Sequence, residues 1–80
     1  MTREHDLIKL ASELLGLKAK VVSLDADLVD DLGADDLDVV ELIGQVEEHY
    51  QVLLPENAAE TVKTLHDILE QLEQQLGAEA

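Results

Sequence analysis

With 19 acidic side chains against 5 basic ones in 80 residues, the chain carries a formal net charge of −14, which makes nucleic acid and anionic membranes poor partners and basic protein surfaces natural ones. It contains no cysteine, so disulfides, cysteine-rich zinc sites and thioesters formed directly on the protein are excluded. The length implies one domain over residues 1–80, near the lower limit for a fold held by a single core, and Tyr50 as the sole aromatic residue leaves that core to aliphatic side chains.

The opening residues, Met1-Thr2-Arg3-Glu4-His5-Asp6, are charged and no long apolar stretch follows, so neither a signal peptide nor a membrane span is expected and a cytoplasmic monomer is the default. Leu7, Leu10, Ala11, Leu14 and Leu15 repeat at helical spacing and predict a first helix, opened by Thr2 and closed by Gly16. The stretch from Leu17 to Asp35 has no sustained periodicity. A loop of that length is unusual in a small domain, and its apolar residues, Val21, Val22, Leu24, Leu28, Val29 and Leu32, are expected to anchor it to the core.

A second helix is predicted from near Asp35, as its cap, to near Tyr50, with Asp36 and Asp38 placed against the positive end of the helix dipole. Val39, Leu42 or Ile43, Val46 and Tyr50 form its buried stripe, and Glu41, Glu47 and Glu48 fall toward solvent. Gly44 is its weak point, since glycine inside a helix costs about 1 kcal/mol relative to alanine. Pro55 stops the segment Val52-Leu53-Leu54, and Asn57 is expected to cap a short helix reaching Val62. Thr64 then starts a last helix through an approximate capping box, Thr64-Leu65-His66-Asp67, with Leu65, Ile68, Leu69, Leu72 and Leu76 as its apolar stripe and Gly77 at its end. The fold class is therefore all-α, with three longer helices, one short helix and a long loop between the first two.

The segment Leu32-Gly33-Ala34-Asp35-Asp36-Leu37-Asp38, followed by Val39-Val40-Glu41-Leu42 and Val46-Glu47-Glu48, resembles the acyl carrier proteins of fatty-acid and polyketide synthesis. The resemblance covers nearly the whole chain, is strongest from Leu24 to Pro55, and implies a four-helix bundle of acyl-carrier type. In that family the motif reads Asp-Ser-Leu, and the serine oxygen holds a 4'-phosphopantetheine arm whose thiol carries the acyl chain. Asp36 stands at that position here. A serine forms a phosphodiester that is stable in water, whereas a carboxylate on the same phosphate would form a mixed anhydride that hydrolyses readily. The attachment position is therefore expected to be vacant, with no cofactor. Ser12, inside a predicted helix, and Ser23, in the loop, lack the motif's neighbours.

The resemblance also implies that Asp35, Leu37, Asp38, Glu41, Glu47 and Glu48 face the arginine and lysine patches of carrier-recognising enzymes. A plain solvated acidic face is the alternative; the match in order and spacing favours docking. Asp36, beyond serving as a first-turn residue worth about 0.3–1 kcal/mol, presents acceptor oxygens that partly imitate a phosphate. Carriers usually have methionine or another apolar residue where Gly44 stands. The aspartates from Asp25 to Asp36 do not form a calcium loop, because Val29 and Asp30 occupy positions that need a ligand and a glycine. His5, His49 and His66 are scattered and read as surface residues, so no metal site is expected.

No serine, histidine and aspartate set and no phosphate-binding glycine loop is present, so no catalytic residue is expected and the chain is not read as an enzyme. These readings combine into a carrier-like protein that is not phosphopantetheinylated and works by binding, as adaptor, decoy or regulator in fatty-acid, lipid or secondary metabolism. Two alternatives stay open: an ordinary carrier bearing a serine-to-aspartate substitution, and an acidic cation-binding protein. The aliphatic interior is expected to be a closed core and not an acyl sheath.

Overall fold

A computed structural model describes residues 2–77; residues 1 and 78–80 of the expected domain lie outside the described residues. Four α-helices follow one another: α1 (Arg3–Leu15), α2 (Asp36–Tyr50), α3 (Ala58–Thr61) and α4 (Leu65–Leu76), with a single turn of 3-10 helix at Ala19–Val21 in the long loop. The fold is all-helical, as the apolar periodicity predicts. Helix α1 packs against both α2 and α4, and α3 packs against α2.

The helix boundaries are set by capping chemistry. Thr2 accepts the amide of His5 at 3.1 Å, and Gly16 closes α1 in the left-handed region at φ 69°, returning its amide to Ser12, a conformation that favours glycine. Asp35 caps α2 by accepting the Asp38 amide at 2.8 Å, while the Asp38 carboxylate accepts the Asp35 amide at 3.2 Å. This reciprocal box is stronger than the single cap expected at Asp35. Thr64 and Asp67 form the corresponding box of α4. Asn57 corrects the sequence reading. It stands before α3, but its side chain caps nothing: its backbone, at φ −90° and ψ 12°, lies outside the extended region a capping residue needs, and the Glu60 amide that such a cap would accept goes to the Asn57 carbonyl at 3.0 Å; α3 ends at Thr61, one residue short of Val62.

Leu7, Leu28, Leu42, Val46, Leu65, Ile68 and Leu72 are the largest fully buried side chains of one aliphatic core. Both Leu42 and Ile43 are buried, where the periodicity left either open. Leu76 departs from the expected stripe of α4: as the last residue of the helix it is 40% exposed. The long loop is anchored by Val22 and Leu28, both buried, and partly by Leu24 and Leu32, whereas Val21 and Val29 turn outward, contrary to the expectation that all its apolar residues would face the core.

That loop is also held by hydrogen bonds. The amides of Leu28 and His66 donate to the carbonyls of Lys63 and Leu24 at 2.8 and 3.0 Å, around an isolated bridge between Asp27 and Thr64. The Asp27 carboxylate accepts the amides of Val29 and Asp30, and Asp31 accepts that of Asp27. These turn-type bonds replace the periodic backbone pairing the segment lacks. Across the bundle, the Tyr50 hydroxyl donates to Asp6 at 2.8 Å, tying the end of α2 to α1.

Candidate functional site

Asp36 is the first residue of α2 and exposed. The capping box fixes it there: Asp35 and Asp38 spend their carboxylates on each other's backbone amides, which turns the intervening Asp36 and Leu37 outward. The amides of the first helical turn have no partner inside the helix, so the Asp36 carboxylate sits at the positive end of the α2 dipole with its oxygens toward solvent. Leu37 beside it is 77% exposed.

The six expected partner-binding residues differ in what they do. Leu37, Glu41 and Glu48 are exposed and, with Asp36, lie along the outer side of α2. Asp35 is exposed and Asp38 half-buried, both engaged in the capping box. Glu47 corrects the reading that placed it toward solvent: it is half-buried, and its Oε2 accepts the Leu54 amide at 2.8 Å. It thus tethers the segment after α2 to that helix.

Two apolar side chains of this surface escaped the sequence reading. Val40 is 54% exposed and Leu53 is 80% exposed. Val40 had a detectable signal, since Leu37, Val40 and Gly44 follow i, i+3, i+7 and lie on one line of the helix, beside the buried stripe. Leu53 had none, because its position depends on the Glu47 tether. Between α2 and α3 runs an open groove of about 460 Å³ lined by Val40, Ile43, Leu53, Leu54 and Ala59, among others. It continues toward Asp36, where Glu56 and Glu60 add two further carboxylates.

The charge is distributed unevenly. Between Lys20 and Lys63 there is no lysine or arginine, while seven aspartates and five glutamates occur there, 12 of the chain's 19 acids. Of these, Asp36, Asp38, Glu41, Glu47 and Glu48 lie on α2 and Glu60 on α3, beside the exposed apolar side chains of Leu37, Val40 and Leu53.

The remaining candidates take structural places. Ser12 is 7% exposed and donates to the Lys9 carbonyl; Ser23 is exposed, and its hydroxyl accepts the Asp25 amide. His5, His49 and His66 are all exposed, as expected. His49 approaches Asp6 at 3.7 Å, and His66 lies 3.8 Å from Asp25 and 3.9 Å from Glu70. Among the described residues, no three His, Asp or Glu side chains converge on a metal-sized site, and no helix is long and apolar enough to cross a membrane. The Lys63 amide, at 2.8 Å, holds the Asp67 carboxyl below the usual carboxylate range. Partial burial opposes this, and the amide and hydroxyl of Thr64 and the nearby His66 add to it.

Comparison with known proteins accounts for this arrangement. Residues 5–72 match the family model described as the phosphopantetheine attachment site. An acyl carrier protein of Syntrophobacter fumaroxidans is 39% identical over 66 residues, covering 82% of each chain. A solved structure described as an acyl carrier protein from Mycobacterium tuberculosis superimposes with a TM-score of 0.83 over 92% of this chain and 99% of its own, at 23% identity, a likeness of fold. By sequence and by architecture, the chain belongs to the acyl carrier protein family.

Proposed function

We propose that this chain is an acyl carrier protein-like binding protein that is not phosphopantetheinylated and docks on carrier-recognising enzymes of fatty-acid, lipid or secondary metabolism as adaptor, decoy or regulator. The observation that carries the reading is the exposed carboxylate of Asp36 at the head of α2, where the family's motif needs a hydroxyl. A phosphopantetheine arm does not fit this residue: the ester that a serine makes is durable, and the anhydride that a carboxylate would make is not. The other two serines do not replace it, one being buried and bonded to its own helix and the other engaged with the loop backbone.

What survives is the surface. Glu41, Glu48 and Asp36, with exposed Leu37, Val40 and Leu53 among them, retain the acidic and apolar elements that basic carrier-handling surfaces recognise. The Asp36 carboxylate holds negative charge where a loaded carrier displays its phosphate, with fewer oxygens and no arm beyond them. The protein acts in the cytoplasm as a monomer, catalyses nothing, and takes no cofactor.

The test uses a phosphopantetheinyl transferase and coenzyme A with mass spectrometry as the readout. The wild-type chain is expected to gain no mass and the Asp36→Ser variant to gain one arm, showing that the docking face is competent and that a single side chain blocks loading. An unmodified Asp36→Ser variant would mean that the surface no longer engages carrier-recognising enzymes, and the docking reading would fall.

A further inference from the structure

Gly44 has no structural reason to be glycine. It lies in the middle of α2 with ordinary helical backbone, since the positive-φ glycines are Gly16, Gly33 and Gly77. A Cβ added to it would meet nothing within 4 Å. Glycine in a helix interior is destabilising relative to alanine, and here no turn, close approach or left-handed conformation offsets it. What the missing side chain produces is space. Gly44 lines the groove between α2 and α3 and also a shallower, open depression toward Gln51 and Val52, and the two share Gly44, Glu47 and Leu53.

The shape of that space is specific. Its floor is Ile43 and Leu54, 7% and 6% exposed, and its walls are the half-exposed Val40 on one side and the far more exposed Leu53 on the other. Leu53 stands up because Glu47 holds the amide of Leu54, so Glu47 positions the wall. At the rim are Glu48 and Glu56, both exposed. A second copy of this chain would bring another 14 negative charges to the contact, and a fatty-acid anion or an anionic lipid surface meets the same repulsion. The charge selects a cationic protein partner, and the recess selects an apolar projection at its centre.

We infer that the groove at Gly44 is a socket for one long apolar side chain, leucine or methionine, projecting from a partner protein whose flanking residues are arginine or lysine. The inference rests on the docking reading above and supplies its shape: the chain offers the hole, and the partner brings the knob. Flanking cations meet Glu48 and Glu56 while the apolar side chain covers Ile43 and Leu54, so charge sets the encounter and the socket sets the selectivity.

The experiment uses two synthetic helical peptides with arginines on one face around a central residue, leucine in one and alanine in the other. Each is titrated by NMR into the full-length chain and into its Gly44→Leu variant, at low and at high salt. The leucine peptide is expected to bind the wild type about tenfold more tightly than the alanine peptide, equivalent to about 1.4 kcal/mol. In Gly44→Leu that preference falls to about one, while the salt-sensitive binding of the alanine peptide is unchanged. The variant is expected to melt at a higher temperature than the wild type, so its lost preference cannot come from unfolding. Equal binding of both peptides to the wild type, or a leucine preference that persists in Gly44→Leu, overturns the socket; salt-sensitive binding of both leaves the docking face standing. Absence of binding by either peptide removes both readings.

Discussion

The junction of the α1–α2 loop with the start of α4 and the outer face between α2 and α3 are built from the same materials, aspartates, glutamates and leucines, and use them in opposite ways. At the junction, Asp27, Asp31 and Asp67 accept backbone amides, and Leu28 is buried to 1% exposure with its own amide bonded to Lys63. On the outer face, Asp36, Glu41 and Glu48 are exposed, and Leu37 and Leu53 are 77% and 80% exposed. An acid that meets an amide holds the fold, whereas an acid held among other acids costs stability through repulsion and repays it only against a cationic surface. Residue type therefore does not distinguish positions that hold the fold from positions left exposed here; the presence of an intramolecular partner does.

The sharpest way to break this contrast is to truncate leucines in both regions. Leu28→Ala is expected to cost about 2–5 kcal/mol, as for other buried leucines, read from a urea unfolding midpoint. Leu37→Ala and Leu53→Ala should stay within about 0.5 kcal/mol of wild type while weakening association with a basic partner. A comparable stability loss in all three would mean that the outer face is part of the core.

The acids give the next largest effect. Asp67→Asn removes the preferred acceptor of the Lys63 and Thr64 amides and is expected to cost about 0.5–2 kcal/mol, the range of a lost helix cap, or several degrees in melting temperature. Glu48→Gln should leave stability unchanged or raise it slightly. The pH dependence follows from the same bonds. Because the folded protein holds the Asp67 carboxyl below its ordinary range, the unfolded chain binds the proton more readily. The stabilisation is thus complete above the ordinary carboxylate range and is lost as pH falls through the lowered folded value. Asp67→Asn should flatten that acid-side slope, and an unchanged slope would remove Asp67 from this role.

The smallest effect concerns the whole charge. With a net charge of −14, added salt or magnesium should raise the melting temperature by screening repulsion. A melting temperature indifferent to salt would show that the acidic face carries little strain and would blunt the contrast between the two regions.

Much of the fold was legible in the chain because local rules suffice for it. The spacing of Leu7, Ala11, Val39, Val46, Leu65 and Leu72 gives the helices, and Thr2, Asp35 and Thr64 give their starts. Tertiary placement was not legible in the same way. Asn57 has the composition of a cap, but its backbone lies outside the extended region and its own carbonyl takes the Glu60 amide. Leu76 keeps the helical period but, as the last residue of α4, stays 40% exposed. Glu47 looks like any solvated helix acid until the chain returns seven residues later to offer the Leu54 amide. Of the candidate site, the acidic line on α2 and the oddity of Asp36 could be read directly. The groove could not, since Leu53, Leu54 and Ala59 reach it through chain reversal and not through periodicity.

Whether residue 36 holds an arm is read by intact-mass spectrometry of the protein isolated from its own cells. The expected result is the mass of the polypeptide with no pantetheine attached. A stoichiometric species heavier by one phosphopantetheine group, traced by fragmentation to Asp36, would contradict it.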